Sequence, residues 1–140
     1  MKILLAVDGS AYTKKMLAYL AAHDELFGSD NDFTAISVQA PLPPRARAAV
    51  GATVANKFHE DEAAKITGPV AKFLQRHGIA AKVVHKVGPA GELIAKAADA
   101  GKFDLVIMGS HGHGALGNLV LGSVATKVLA QCKSPVLLVR

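Results

Sequence analysis

The stretch Gly109–Ser123, GSHGHGALGNLVLGS, constrains the fold most, because of what lies on either side of it. Upstream, Phe103-Asp104-Leu105-Val106-Ile107-Met108 is a short apolar, β-branched run, the pattern of a strand buried on both faces. Downstream, Leu121, Ala125, Val128, Leu129 and Cys132 recur at helical spacing, with Ser123 placed as an N-cap. The glycines therefore join a strand's carboxyl end to a helix's amino end. Open α/β sheets bind ligands at such junctions, and a helix start offers unpaired N–H groups and a positive dipole end to an anion. Gly109, Gly112 and Gly122 let backbone approach a phosphate and allow the positive φ of an anion-cradling nest.

Two phosphate motifs can be tested directly. Gly112, Gly114 and Gly117 satisfy G-x-G-x-x-G, but no acidic residue follows Asp104 to hold a ribose about 20 positions on, which excludes a dinucleotide site. Gly117 to Gly122 gives G-x-x-x-x-G, yet Ser123 stands where a P-loop needs its lysine. On glycine content alone, a turn of purely structural use stays open beside ligand binding.

The remaining chain alternates strand and helix. Lys2–Val7 reads as a buried strand closed by Asp8-Gly9-Ser10, with a helix from about Ala11 to Leu26 that buries Met16, Leu17, Leu20 and Ala21. Asp8 either caps that helix or accepts hydrogen bonds from a ligand's hydroxyls or base edge. Phe33–Val38 is the second strand; Val38, at its end, is either a neutral wall for a purine or an ordinary strand residue. Pro41-Leu42-Pro43-Pro44-Arg45-Ala46-Arg47 reads as a loop, with Arg45 and Arg47 as a solvated charge pair rather than phosphate ligands. A helix over about Ala55–His77 presents Phe58, Ile66, Val70, Phe73 and Leu74, with a kink or break expected at Gly68-Pro69 and with His59 and His77 at the surface. Ala80–Val87 is the third strand, with His85 half-exposed. A helix over about Ala90–Ala100 follows, and Pro135–Val139 is the fifth strand.

Five strands alternating with four helices predict a doubly wound five-stranded parallel sheet with helices on both faces. The strand order 3-2-1-4-5 sets the first strand beside the fourth, so Asp8 meets Gly109 at the topological switch point.

Gly109-x-x-Gly112, nine residues, then Gly122-Ser123 is similar to the nucleotide-loop pattern of the universal stress protein family. The resemblance extends to Val7-Asp8-Gly9-Ser10, Gly88-Pro89-Ala90, Asp104 through Ser110, and the final Pro135-Val136-Leu137-Leu138-Val139. It implies one such domain over residues 1–140 that binds ATP or a related adenine nucleotide, with or without Mg²⁺, as a regulatory module in stress response. It also implies roles: Asp8 and Val38 hold the adenosine end, Met108 and Gly109 line base and ribose, and Gly112, Gly122, Ser123 and Val124 hold the phosphates. His111 falls where the family often has a basic or polar residue beside them.

Other classes are weighed by what they require. An adenylyl-transferring enzyme wants Ser-Gly-Gly-x-Asp-Ser after the first strand, where this chain has Asp8-Gly9-Ser10-Ala11; with no base–nucleophile pair in sight, at most slow ATP hydrolysis is expected. His111-x-His113 supplies only two ligands with no nearby Cys or carboxylate, so no protein-held metal is expected. The net charge of +5 suits anionic ligands, but the basic residues form no stripe for nucleic acid. No apolar run is long enough for a membrane span, the amino end reads as strand rather than signal peptide, and Cys132 reads as a small core residue; the expectation is a cytoplasmic protein. The apolar fifth strand at the sheet's edge predicts a homodimer through Pro135–Val139. A dimeric stress protein that binds no nucleotide and works through protein partners is the alternative function.

Overall fold

In a computed structural model, which describes residues 1–114 and 118–140, alternation along four of the strands builds two separate cores. Ala115, Leu116 and Gly117, the last of which figures in both rejected motifs, lie outside the described residues. The elements are β1 (Lys2–Ala6), α1 (Ala11–Ala22), α2 (Asp24–Phe27), β2 (Asp32–Gln39), α3 (Pro44–Arg76), β3 (Lys82–Val87), α4 (Ala90–Ala100), β4 (Leu105–Gly109), α5 (Ser123–Gln131) and β5 (Val136–Val139). They form one sheet in the order β3-β2-β1-β4-β5, every pairing parallel. Odd-numbered Ile3, Leu5 and Val7 join Phe33, Ala35 and Ile107 under α1 and α3, while Leu4, Ala6, Ile36, Val106 and Met108 pack on the other face against α4 and α5. Each fully buried Leu or Ile among them contributes roughly 1.5–3 kcal/mol of transfer free energy. That two-sided burial is why β1 and β4 read as continuous apolar runs.

Several boundaries differ from the sequence reading, each for a local reason. The first helix ends at Ala22; His23 leaves helical geometry with its ring 2.9 Å from the Tyr19 carbonyl, and a four-residue turn follows it. Pro44-Arg45-Ala46-Arg47 is helical rather than loop. A proline at the first helical position loses only an N–H that has no partner there, and Arg47 N–H donates to the Pro43 carbonyl at 3.0 Å. The interruption in α3 comes at Gly51, with φ 82°, and not at Gly68-Pro69, where the helical dihedrals persist. His59 is 3% exposed, its ring 3.2 Å from Gln39 Oε1, whereas Phe58 beside it is 44% exposed. The register of the exposed side of α3 is thus one residue away from the reading that put Phe58 inward and His59 outward. All of β3, an edge strand, is exposed, His85 included, which was expected to be half-exposed. Leu129, read as part of the apolar stripe of α5, is 44% exposed, and Cys132 is partly buried.

Candidate functional site

The register Ala6↔Met108 places the carboxyl ends of β1 and β4 side by side, β1 leading to α1 and β4 to the glycine loop. A cleft of about 250 Å³ opens there. Asp8, Val38, Met108, Gly109, Gly112, Gly122, Ser123 and Val124, contributed by three strand ends and the start of α5, all line it. Its inner wall is apolar, from Ala6, Val38, Ile94, Met108 and Ala125; its mouth carries Asp8, Thr13, His111, His113 and Ser123.

Asp8 is anchored by the protein itself. Its Oδ1 accepts from the Ser10 N–H at 2.9 Å and the Thr13 hydroxyl at 3.0 Å, and its own N–H donates to Thr13 Oγ1 at 3.1 Å. Of the two roles posed as alternatives from sequence, the structure shows the first: Oδ1 fastens the start of α1, while Oδ2 faces Gly112. Thr13 was not singled out from sequence, although a threonine one helical turn beyond a strand-end aspartate is the signal for this pairing.

The glycines act through their missing side chains, not through positive φ, which corrects the nest expectation: none of Gly109, Gly112 and Gly122 has φ in the left-handed region, and among the loop's described residues only Gly114 does, at 71°. A Cβ on Gly112 would lie 2.5 Å from Asp8 Oδ2, one on Gly109 2.6 Å from the Tyr12 Cβ, and one on Gly122 3.1 Å from the His111 Cα. The loop therefore closes onto β1, α1 and itself at distances only glycine permits. Ser123 is also corrected: Gly122 is the N-cap of α5, and Ser123 is its first helical residue, exposed, with no capping hydrogen bond. Its hydroxyl is directed to no cap and stands in the cleft lining with the unpaired N–H groups of the first turn.

The two histidines have different duties. The Ser110 hydroxyl donates to His111 Nδ1 at 2.8 Å, while His111 Nε2 donates to the Leu119 carbonyl at 2.8 Å, so both ring nitrogens serve the loop's own shape. A carbonyl only accepts, which fixes the proton on Nε2. His111 also packs on Tyr12, ring centroids 5.0 Å apart. His113 Nε2 donates instead across the cleft to the Asp8 carbonyl at 2.8 Å. Ser110 with His111 is a hydroxyl–base pair that the sequence reading did not find, but Ser110 is 1% exposed and no substrate reaches its oxygen. Among the described residues no three His, Cys, Asp or Glu side chains are placed to hold a metal ion. Arg45 and Arg47 are exposed and do not line the cleft.

The family model for the universal stress protein family matches residues 1–140. The chain belongs to that family. A universal stress protein of Thermus aquaticus is 33% identical over 144 residues, covering 99% of this chain and 97% of the relative. One from Synechocystis is 34% identical over 139 residues, but this chain spans only 42% of that relative's length. Among solved structures, protein MJ0577 of Methanocaldococcus jannaschii superposes with a TM-score of 0.79 at 29% identity, over 99% of this chain and 94% of that one. Two more distant structures share the fold: the universal stress protein of Archaeoglobus fulgidus in complex with dAMP (TM-score 0.67, 19% identity, 100% and 98% of the two chains) and an Arabidopsis thaliana family protein with AMP bound (TM-score 0.69, 15% identity, 99% and 90%). The five-stranded order 3-2-1-4-5 expected from the sequence is the order found in this chain.

Proposed function

We propose that this chain is an adenine-nucleotide-binding regulatory module of the universal stress protein family. The observation that carries the reading is the pairing, in one cleft, of an apolar inner wall with the amino end of α5, where Ser123 and the first-turn N–H groups are left without capping partners. The apolar wall at Val38 and Met108 suits a purine; Asp8 Oδ2 is an acceptor for a ribose hydroxyl or base edge; Gly112, Gly122, Ser123 and Val124 line the end suited to phosphates. AMP and dAMP in two fold relatives support an adenine nucleotide as the class. ATP is the member we favour, with Mg²⁺ held through the phosphates if it binds, since Asp8 is the one carboxylate lining the cleft and its Oδ1 is already committed. Micromolar affinity requires about −8 kcal/mol, within reach of several charge-assisted hydrogen bonds and a buried base after the ordering cost. Binding rather than turnover is the proposed activity, in the cytoplasm; among the described residues no helix is long and apolar enough to cross a membrane. Mass spectrometry of small molecules released on denaturing the purified protein tests the reading, together with calorimetric titration. The expected result is a released adenine nucleotide and saturable ATP binding; a protein that releases none and is blind to millimolar ATP and ADP is the dimeric, partner-binding alternative.

Ser123→Ala is the graded change at this site. It removes a hydroxyl with no capping bond, so stability should move by less than about 0.5 kcal/mol, while titration should show ATP several-fold weaker, about 1 kcal/mol.

We also propose a homodimer through the last strand. Among the described residues β5 pairs only with β4, so its outer edge presents unpaired backbone groups on an apolar Val136–Val139 segment. Two-fold pairing of this strand with its copy satisfies the edge. Light scattering at tens of micromolar should give twice the 14.5 kDa chain mass, and Leu137→Lys, with its circular dichroism unchanged, should give the monomer.

A further inference from the structure

We infer that His113 is a positioning residue: by bonding to the Asp8 carbonyl it holds the glycine loop at the distance from β1 that the phosphate end of a nucleotide requires. This rests on the nucleotide reading above. Among the described residues the loop's other hydrogen bonds do not reach β1 or α1. Gly122 N–H donates to the Ser110 carbonyl at 2.7 Å and His111 spans Ser110 and Leu119, both within the loop, while Ser110 N–H donates to Val139 of β5 at 2.8 Å. Gly112 lies against Asp8 Oδ2 but makes no hydrogen bond to it. The bond from His113 Nε2 to Asp8 O, 105 residues apart in sequence and 2.8 Å in space, is thus the polar tie between the two sides of the cleft mouth.

The consequence is selective. The apolar wall sits on β1, β2, β4, α4 and the buried Ala125 of α5, which the sheet and its cores hold without help from the loop. The backbone of residues 111–114 is held toward β1 by His113, facing the start of α5 on the cleft's other side. Loosening that tie lets the phosphate donors spread over many positions, and ordering them again on binding subtracts from the affinity for phosphates alone. A side chain that can still donate one N–H to the Asp8 carbonyl restores the tie without an imidazole.

The test compares ATP with adenosine, by calorimetric titration, on the wild type, His113→Ala and His113→Gln, with hydrogen exchange of the Gly112 and Gly114 amides in the ligand-free proteins. His113→Ala should exchange faster at both amides and bind ATP about five- to tenfold more weakly, the worth of one hydrogen bond, with adenosine affinity unchanged; His113→Gln should recover most of the ATP affinity. If wild type binds ATP and the alanine variant binds it equally well, or loses adenosine to the same degree, or is not rescued by glutamine, the inference is overturned and the nucleotide reading stands. A wild type that binds neither ligand overturns both.

Discussion

Gly112→Val is expected to lose ATP binding altogether while the protein remains folded. The clash is made by the first added atom, because a Cβ at this position lies 2.5 Å from Asp8 Oδ2. Asp8 cannot yield, since its Oδ1 is fixed by Ser10 N–H and Thr13 Oγ1 at the start of α1. The loop must move instead, carrying His113 off the Asp8 carbonyl and with it the backbone proposed to meet the phosphates. Gly112→Ala, which shares that Cβ, should already lose most of the affinity. Gly114→Ala is the contrast: it strains a φ of 71°, costing about 1 kcal/mol or more of local backbone energy, but its Cβ meets nothing within 4 Å. The site is at the surface and the loop can shift without opening either core, so the melting temperature of ligand-free Gly112→Val should fall by only a few degrees. Calorimetric titration and thermal melts read both quantities. A valine variant that still saturates with ATP would remove the loop from the site.

The close approach of Gly112 to Asp8 is also the part of the candidate site least legible in the sequence. The spacing of Gly109, Gly112 and Gly122-Ser123 behind an apolar strand was enough to place them at a strand-to-helix junction beside β1, because strand order and alternation leave few ways to arrange five parallel strands. Whether each glycine is needed for a positive φ or for a missing Cβ depends on what faces it. Asp8 faces Gly112 from more than a hundred residues away, and no local pattern carries that. The same holds for His59, whose burial is decided by Gln39 across the sheet surface, and for His113, whose partner is a backbone carbonyl with no side-chain signature. Where local rules compete, the error was of another kind. Pro41-Leu42-Pro43-Pro44 was read as extending a loop, although a proline opens a helix as readily as it ends one, and the choice rests on whether residues beyond it can continue the turn.

Phe33→Ala should have the opposite signature to Gly112→Val: a large loss of stability with the binding site intact. Phe33 is fully buried on β2, in register with Ile3, in the cluster that also holds Leu5, Leu74 and Ile79 beneath α1 and α3. Removing the ring leaves a void enclosed on the sheet side by strands locked in parallel pairing, which can collapse only partly, so the expected cost is about 3–5 kcal/mol. For a chain of this length that lowers the melting temperature by roughly 10–15 °C. The cleft lies at the other end of β2, where Val38 packs with the opposite core, and among the described residues Val7 alone of the cluster that holds Phe33 lines it. At 15 °C, where the variant remains folded, its ATP affinity should stay within about twofold of wild type, because effects at separated sites without shared partners add nearly independently. A drop of only two or three degrees in the thermal melt would mean that α3 can sink into the vacated space, and that the core under α1 and α3 is less rigid than its burial indicates.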